Sequence, residues 1–282
     1  MKKWTGLTLA LSLITGCASF QGRFARETGD LGLPGQPDSS EVVREADIQS
    51  LPKPVQRYLR FMGVVGRPRD WSFRWAWSGR FRTAPEASWT RCEALQYNSR
   101  LRVSRIFHMQ LPINGLPVMV RDTYSDGKAR MLGKIFDLVP VVDERGEEVI
   151  VGELVTYLND AIMVAPSMLL TPQTTWTGVD DESFDVTLTD CGRTVKARVF
   201  LDAQGAPKNF STTDRFIQDP YDPKHPFVRR EWTTPIENWV SYEGRKFATH
   251  GFAVWKLPQG DFPYGEINLD PKGLSFNLPP GK

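Results

Sequence analysis

The sequence predicts a mainly β protein of the α+β class, in which helices cover a large antiparallel sheet. From Trp71 onward, apolar and polar residues alternate with the period of two that is typical of strands. Turn signals such as Asp126-Gly127 join successive runs, as in antiparallel hairpins. Helical periodicity is confined to residues near 41–62 and 151–170. With 282 residues, the chain is long enough for one large β domain, which we expect over residues 41–282.

The N-terminus has the features of a bacterial lipoprotein signal. Two lysines precede an apolar stretch that is too short to span a bilayer but has the length of a signal-peptide core. It ends at Ile14-Thr15-Gly16-Cys17, which resembles the lipobox of bacterial lipoproteins. The resemblance implies that residues 1–16 are a signal peptide and that acyl chains such as palmitate anchor Cys17 in a membrane. An ordinary secretory signal with an incidental cysteine is the alternative.

The residue after the cysteine bears on location. In enterobacterial lipoproteins an aspartate at that position retains the protein at the inner membrane, so Ala18 implies the outer membrane, with the protein facing the periplasm. Residues 17–40 are polar and rich in glycine and proline, which predicts a lipidated flexible tether.

Charge argues against a nucleic-acid partner. The chain has 35 basic and 33 acidic residues, and loss of the two signal-peptide lysines leaves 33 of each. Nucleic-acid-binding proteins usually carry a clustered excess of Lys and Arg, which is missing here. The expected partners are therefore the membrane, through Cys17, and an apolar ligand; the sequence defines no protein partner.

The first helical segment has two parts. Val42 and Val43 begin a short apolar stripe, and Pro54 then fits the first turn of a second helix that Gly63 ends. Alternation predicts strands over residues 71–77, 88–97, 101–111, 117–124, 128–136, 184–188, 195–201, 208–216, 230–242, 246–257 and 266–269. Another helix, near 151–170, interrupts these strands and has Pro166 near its end.

One strand and one helix carry candidate ligand-binding residues. Alternation places four aromatic rings on one face of the first strand, and the helix near 151–170 ends in an apolar tail. Such surfaces fit a lipid-binding concavity, and a packed core is the alternative. The candidates are Trp71, Phe73, Trp75, Trp77, Met163 and Met168.

Four charged residues form a candidate polar cluster: Arg121, Asp122, Glu153 and Asp160. The carboxylates beside an arginine could act as acid and base in a hydrolase, or the cluster could be an ion-pair network that fixes the helix to the sheet. Arg121 and Asp122 are neighbours on a strand and therefore point to opposite faces, so only one of them can face the helix.

The cysteines and histidines predict no cofactor. Cys92 and Cys191 are candidates for a periplasmic disulfide, and two separate thiols are the alternative. The three histidines lack the spacing of a zinc-binding helix, and the chain has neither a Gly-x-Ser-x-Gly elbow nor a phosphate-binding loop. We therefore expect no metal, no cofactor and no catalytic residue.

Three motifs resemble an uncharacterised bacterial family, a domain of unknown function. They are Leu51-Pro52-x-Pro54-Val55-x-Arg57-Tyr58-Leu59, Val120-Arg121-Asp122-x-Tyr124-x-Asp126-Gly127 and Gly152-Glu153-Leu154-x-x-Tyr157-Leu158. Thr156 departs from the pattern, since the family often has an arginine there. The order of elements also resembles the half-barrel of lipoprotein-localisation factors, which implies a curved sheet around an apolar pocket for acyl chains.

These observations lead to three functional hypotheses. The first is a membrane-anchored envelope lipoprotein that binds a lipid or another apolar ligand in transport or homeostasis. The second is a structural or protein-interaction lipoprotein with a packed core, and the third is a hydrolase that uses Glu153 and Asp160.

Overall fold

The computed structural model describes residues 19–38 and 41–282; the expected signal peptide and Cys17 lie outside the described residues. The helices are α1 (Phe20–Asp30), α2 (Glu45–Ile48), α3 (Lys53–Phe61) and α4 (Glu147–Val164), with 3-10 helices at Pro166–Leu169 and Pro271–Gly273. The strands of the first half are β1 (Ser72–Phe81), β2 (Thr90–Ser99), β3 (Ser104–Ile113), β4 (Leu116–Ser125), β5 (Lys128–Ile135) and β6 (Val139–Glu144). Those of the second half are β7 (Thr174–Asp180), β8 (Ser183–Asp190), β9 (Arg193–Leu201), β10 (Pro207–Thr212), β11 (Phe216–Gln218), β12 (Phe227–Arg229), β13 (Glu231–Thr233), β14 (Ile236–Tyr242), β15 (Arg245–Leu257), β16 (Gly260–Asn268) and β17 (Leu274–Phe276).

Two antiparallel meanders join side by side into one 15-stranded sheet. The first runs from β6 to β1 in order, and the second continues through β16, β15, β13, β10, β9 and β8 to β7. β14 extends the pairing of β15, β17 pairs with one end of β1, and β11 and β12 form a separate ribbon. The junction is the pairing of β1 with β16, where Gly79 lies opposite Ile267. The predicted class, a large curved antiparallel sheet with helices, is confirmed.

Helices pack on both faces of the first meander. On one face, α4 contacts β3, β4 and β5, and Leu154, Leu158 and Ile162 of this helix are fully buried in the main core. On the opposite face, α1 packs through Phe24 onto Leu95 and Tyr97 of β2. We call these the α4 face and the α1 face. Since side chains alternate along a strand, each strand of this meander contributes to both.

The tether predicted over residues 17–40 is wrong where the structure describes it. Residues 20–30 form α1, whose first turn is capped because Ser19 Oγ accepts a hydrogen bond of 3.0 Å from the amide of Gly22. Phe24 is only 2% exposed, and Arg23 forms an ion pair with Asp137. The glycines of this segment therefore do not prevent a helix, because burial of the Phe24 ring stabilises it.

Other element boundaries also differ from the prediction. The stripe that begins at Val42 is not a continuous helix, because Val42 forms a β-bridge with Pro68 and α2 begins only at Glu45. α4 begins at Glu147, before the predicted residue 151, and its acidic first turn suits the positive end of the helix dipole. The single strand predicted over 230–242 is split between β13 and β14.

Candidate functional site

An apolar cavity of about 330 Å³ lies between α4 and the α4 face of the sheet. Strands of the first meander form most of its wall, and β13, β15 and β16 of the second meander complete it. Its volume falls in the range of small-molecule pockets, which is about 300–1,000 Å³. The apolar side chains that line it include Trp75, Trp77, Phe107, Met109, Leu111, Val118, Val120, Met131 and Trp232.

Two tryptophans of β1 form part of this wall. Trp77 stacks on Phe107 with ring centroids 6.0 Å apart, and Trp75 lies 6.1 Å from Trp77. The Nε1 atoms of Trp75 and Trp77 are both enclosed, and neither has a hydrogen-bond partner among the described residues. The two tryptophans therefore present aromatic surface to the cavity, while their nitrogens are buried within the wall.

A buried ion-pair network closes the side of the cavity at α4. The guanidinium of Arg105 on β3 donates hydrogen bonds of 2.7 Å to Glu153 and 2.9 Å to Asp160. Both carboxylates lie on the same face of α4. Gln96 of β2 donates a further 2.6 Å bond to Asp160. This is the network that fixes the helix to the sheet, with Arg105 as its cation. Both carboxylates already accept charge-assisted hydrogen bonds, and no observation favours their use as an acid-base pair.

Asp122 lines the same cavity but forms no ion pair with any residue that the structure describes. Its Oδ1 is enclosed and has no hydrogen-bond partner among the described residues. Burial, together with the nearby Glu153 carboxylate, raises the pKa of Asp122 to about 8, against the opposing effect of Arg105 and Arg215. The raised pKa favours the neutral acid over the carboxylate.

Arg121 points away from the cluster in which it was predicted. It lies on the α1 face, where its guanidinium donates hydrogen bonds of 2.9 Å to Glu27 of α1 and 2.6 Å to Asp137. Glu27 also lies 3.2 Å from His108, and the hydrogen bonds from His108 and Arg121 lower the pKa of Glu27 to about 2, although burial opposes them. Only one of Arg121 and Asp122 faces α4, as predicted, and it is Asp122.

The remaining aromatic and methionine candidates do not line the cavity. Trp71 and Phe73 are buried, Phe73 in the main core, so along β1 the cavity begins at Trp75. Met163 borders a separate crevice of about 70 Å³ beside Trp75, and Met168 borders another of about 230 Å³. Trp75 and Trp77 are thus the two predicted ligand-binding residues that the structure brings to the cavity.

The two described cysteines do not form the candidate disulfide. Both are free: Cys92 is buried in β2, and Cys191 is exposed at the β8–β9 turn. Burial raises the pKa of the Cys92 thiol to about 11, which keeps it protonated and unreactive at neutral pH.

Sequence reasoning missed two cavity arginines. A signal existed for Arg105, because alternation places it on the same strand face as Phe107 and Met109, where a charge needs a buried partner. Arg215 gives no such signal, since it lies between β10 and β11 outside the regular alternation.

Within residues 19–38 and 41–282, no group of three or more His, Cys, Asp or Glu side chains is placed to hold a metal ion. No helix in the described part of the chain has the length and apolar character to cross a membrane.

Solved structures with partial similarity include three bacterial proteins. One is a domain described as an outer membrane lipoprotein-sorting protein from Vibrio parahaemolyticus (15% identity, 74% of this chain and 87% of that chain, TM-score 0.39). A LolA superfamily protein from Nitrosomonas europaea has 16% identity over 78% of this chain and 90% of its own, also at 0.39. A DUF1329 family protein from Desulfovibrio piger has 10% identity over 73% and 86%, at 0.37.

Comparison with protein families gives a more extensive match. No curated protein matches the sequence significantly. One family model covers residues 41–267, a range that holds all three sequence motifs and every strand from β1 to β15. The chain therefore belongs to the family of unknown function DUF6544.

Proposed function

We propose that this protein is a membrane-anchored lipoprotein of the cell envelope that binds a lipid or another apolar ligand in the cavity between α4 and the sheet. The observation that carries the proposal is the cavity itself, about 330 Å³ with an aromatic and aliphatic wall. Apolar side chains in a core normally pack without voids of that size. Covering such a wall with an apolar ligand removes apolar surface from water, which lowers the free energy.

The rings that line the cavity support binding over a merely loose core. Trp75, Trp77 and Phe107 present aromatic surface to the cavity, and Trp77 stacks on Phe107 with ring centroids 6.0 Å apart. The protein would hold the apolar part of a ligand by packing against these rings.

The membrane anchor is proposed from the sequence. The lipobox-like Ile14-Thr15-Gly16-Cys17 supports removal of residues 1–16 and acylation of Cys17. Two or more acyl chains give a stable anchor, because each buried methylene contributes about 0.8 kcal/mol. Ala18 supports placement at the outer membrane, with the folded part facing the periplasm. Transport or homeostasis of envelope lipids is the role that these features suit.

Native mass spectrometry with lipid extraction tests the proposal. The sample is a soluble chain of residues 18–282, which contains every described element, purified from the periplasm without detergent. We expect a lipid to co-purify or to bind on addition at one molecule per chain. An apo mass that does not change with added lipid would instead support the packed-core interaction lipoprotein.

A pair of variants assigns the binding to this cavity. Met131→Glu places a charge in the wall, and Thr123→Glu places the same charge on the opposite face of the neighbouring strand. We expect Met131→Glu to abolish ligand retention and Thr123→Glu to keep it, with near-UV circular dichroism showing both variants folded. Equal retention by the two variants would place the ligand elsewhere.

A further inference from the structure

We propose that the ligand is an anionic single-chain amphiphile whose head group binds Arg215 at the cavity wall. This inference rests on the proposed function and names the class of ligand. Of the two arginines that line the cavity, Arg105 is matched by the carboxylates of Glu153 and Asp160. Within the described part of the chain, no carboxylate lies within ion-pair distance of Arg215. The cavity thus holds one cation with no paired anion.

Arg215 is held in place by neutral groups. Its guanidinium lies 4.2 Å from the ring centroid of Trp232 and 5.7 Å from that of Trp255, and Nη1 donates 2.7 Å to Thr156 Oγ1. Aromatic faces and a hydroxyl orient the guanidinium without neutralising it. Since Arg has five N–H donors, this one bond leaves others for a ligand.

The third carboxyl group of the lining allows the same head group. Asp122 forms no ion pair with a described residue, and burial together with the Glu153 carboxylate raises its pKa to about 8, which favours its neutral form. A carboxylate or phosphate with one chain along the apolar wall would supply an anion to Arg215, whereas a cationic head would meet like charge.

Three probes that share a twelve-carbon chain test the head group: dodecanoate, dodecanol and dodecyltrimethylammonium. Each displaces the neutral dye N-phenyl-1-naphthylamine from residues 18–282 at pH 7, below its micelle concentration. A charge-assisted hydrogen bond exceeds a neutral one enough for a preference of about tenfold or more. We expect dodecanoate to displace the dye at about tenfold lower concentration than dodecanol, and the cationic probe to be the weakest.

Variants assign the preference to Arg215. Arg215→Met should bring dodecanoate and dodecanol to within about twofold of each other, since the charge-assisted bond is lost. Arg215→Lys should retain part of the preference, and Arg198→Met, which changes an arginine outside the cavity lining, should retain all of it. Thermal unfolding reports whether each variant is folded.

The outcomes separate the two proposals. Equal displacement by dodecanoate and dodecanol from the wild type, which needs no variant, would overturn the anionic head group and leave the apolar site standing. A preference that survives Arg215→Met in a folded protein would overturn the assignment to Arg215. Absence of binding by the dye and by every probe would overturn both proposals.

Discussion

Arg105 and Glu153 form an ion pair of 2.7 Å in which the two side chains are only 6% and 3% exposed. The pair joins β3 to α4 and is continued by Asp160, so one guanidinium neutralises two carboxylates of the same helix. A network of this kind holds the helix at a fixed height above the sheet. The space between them is the cavity.

Arg105→Met should strongly destabilise the protein. Removal of the cation leaves two buried carboxylates without a positively charged partner, a loss that typically costs about 3–5 kcal/mol. Urea denaturation followed by tryptophan fluorescence measures the change. The matched control, Arg130→Met, removes an arginine from a pair with Asp143 whose side chains are 38% and 42% exposed, and it should cost less than about 1 kcal/mol. Similar losses for the two variants would contradict the role of Arg105.

Asp122→Asn should remove part of the pH dependence of stability. The pKa of Asp122 is raised to about 8, above its value in the unfolded chain, so its contribution is fully present below about pH 4 and is lost as pH rises to about 8. The unfolding free energy of the wild type, relative to the variant, should fall over that window by at most about 1.4 kcal/mol per pH unit. Urea titrations at pH 5, 6.5 and 8 measure the difference, and parallel curves would refute it.

Phe24→Ala should show that α1 is part of the fold. Phe24 is 2% exposed between α1 and β2, and it lies edge-on to His108 at 5.1 Å. Truncation of a buried phenylalanine typically costs about 3–5 kcal/mol. Chemical denaturation measures the loss, and limited proteolysis should then cut within residues 20–30. Phe200→Ala is the control, since Phe200 is 37% exposed and should lose much less.

Gly79→Ala should weaken the junction between the two meanders. A Cβ at Gly79 would overlap the carbonyl oxygen of Glu266 on the neighbouring strand, so the backbones would have to separate. We expect a loss of about 1–3 kcal/mol, the usual range for overpacking. Gly152→Ala is the control: nothing lies within 4 Å of its Cβ position in α4, and the change should stabilise the helix by about 0.5–1 kcal/mol. Thermal melts of both variants decide the matter.

Local pattern accounts for most of the sheet. The period of two located β1 to β5, and Asp126-Gly127 and Cys191-Gly192 mark two hairpin turns whose residues have positive φ. Pairing between distant segments could not be predicted, because alternation shows which face a residue takes but not which strand lies beside it. The position of β1 next to β16 is such a pairing.

The candidate site was predictable only in part, because alternation shows which face of its own strand a residue takes but not which residues of other strands lie beside it. Trp75, Trp77, Asp122, Glu153 and Asp160 were expected and meet at the cavity. Arg121 was grouped with them because it is a sequence neighbour, although its position on β4 turns it to the α1 face. The cation that completes the network, Arg105, comes from another strand, so only the folded sheet places it there.

The junction of β1 with β16 also constrains how the molecule assembles. Apart from the pairing of β17 with β1, the remaining pairings of this sheet join strands that lie near each other in the sequence, so each meander can form locally and quickly. The pairing of β1 with β16 must close a loop of residues 82–259, and it cannot form until the last long strand is available. Loss of the C-terminal segment that contains β16 would therefore not remove a strand from the edge of the sheet. It would divide the sheet at its centre and expose β1 and β15 as unpaired edge strands, which are prone to pair with the wrong partner.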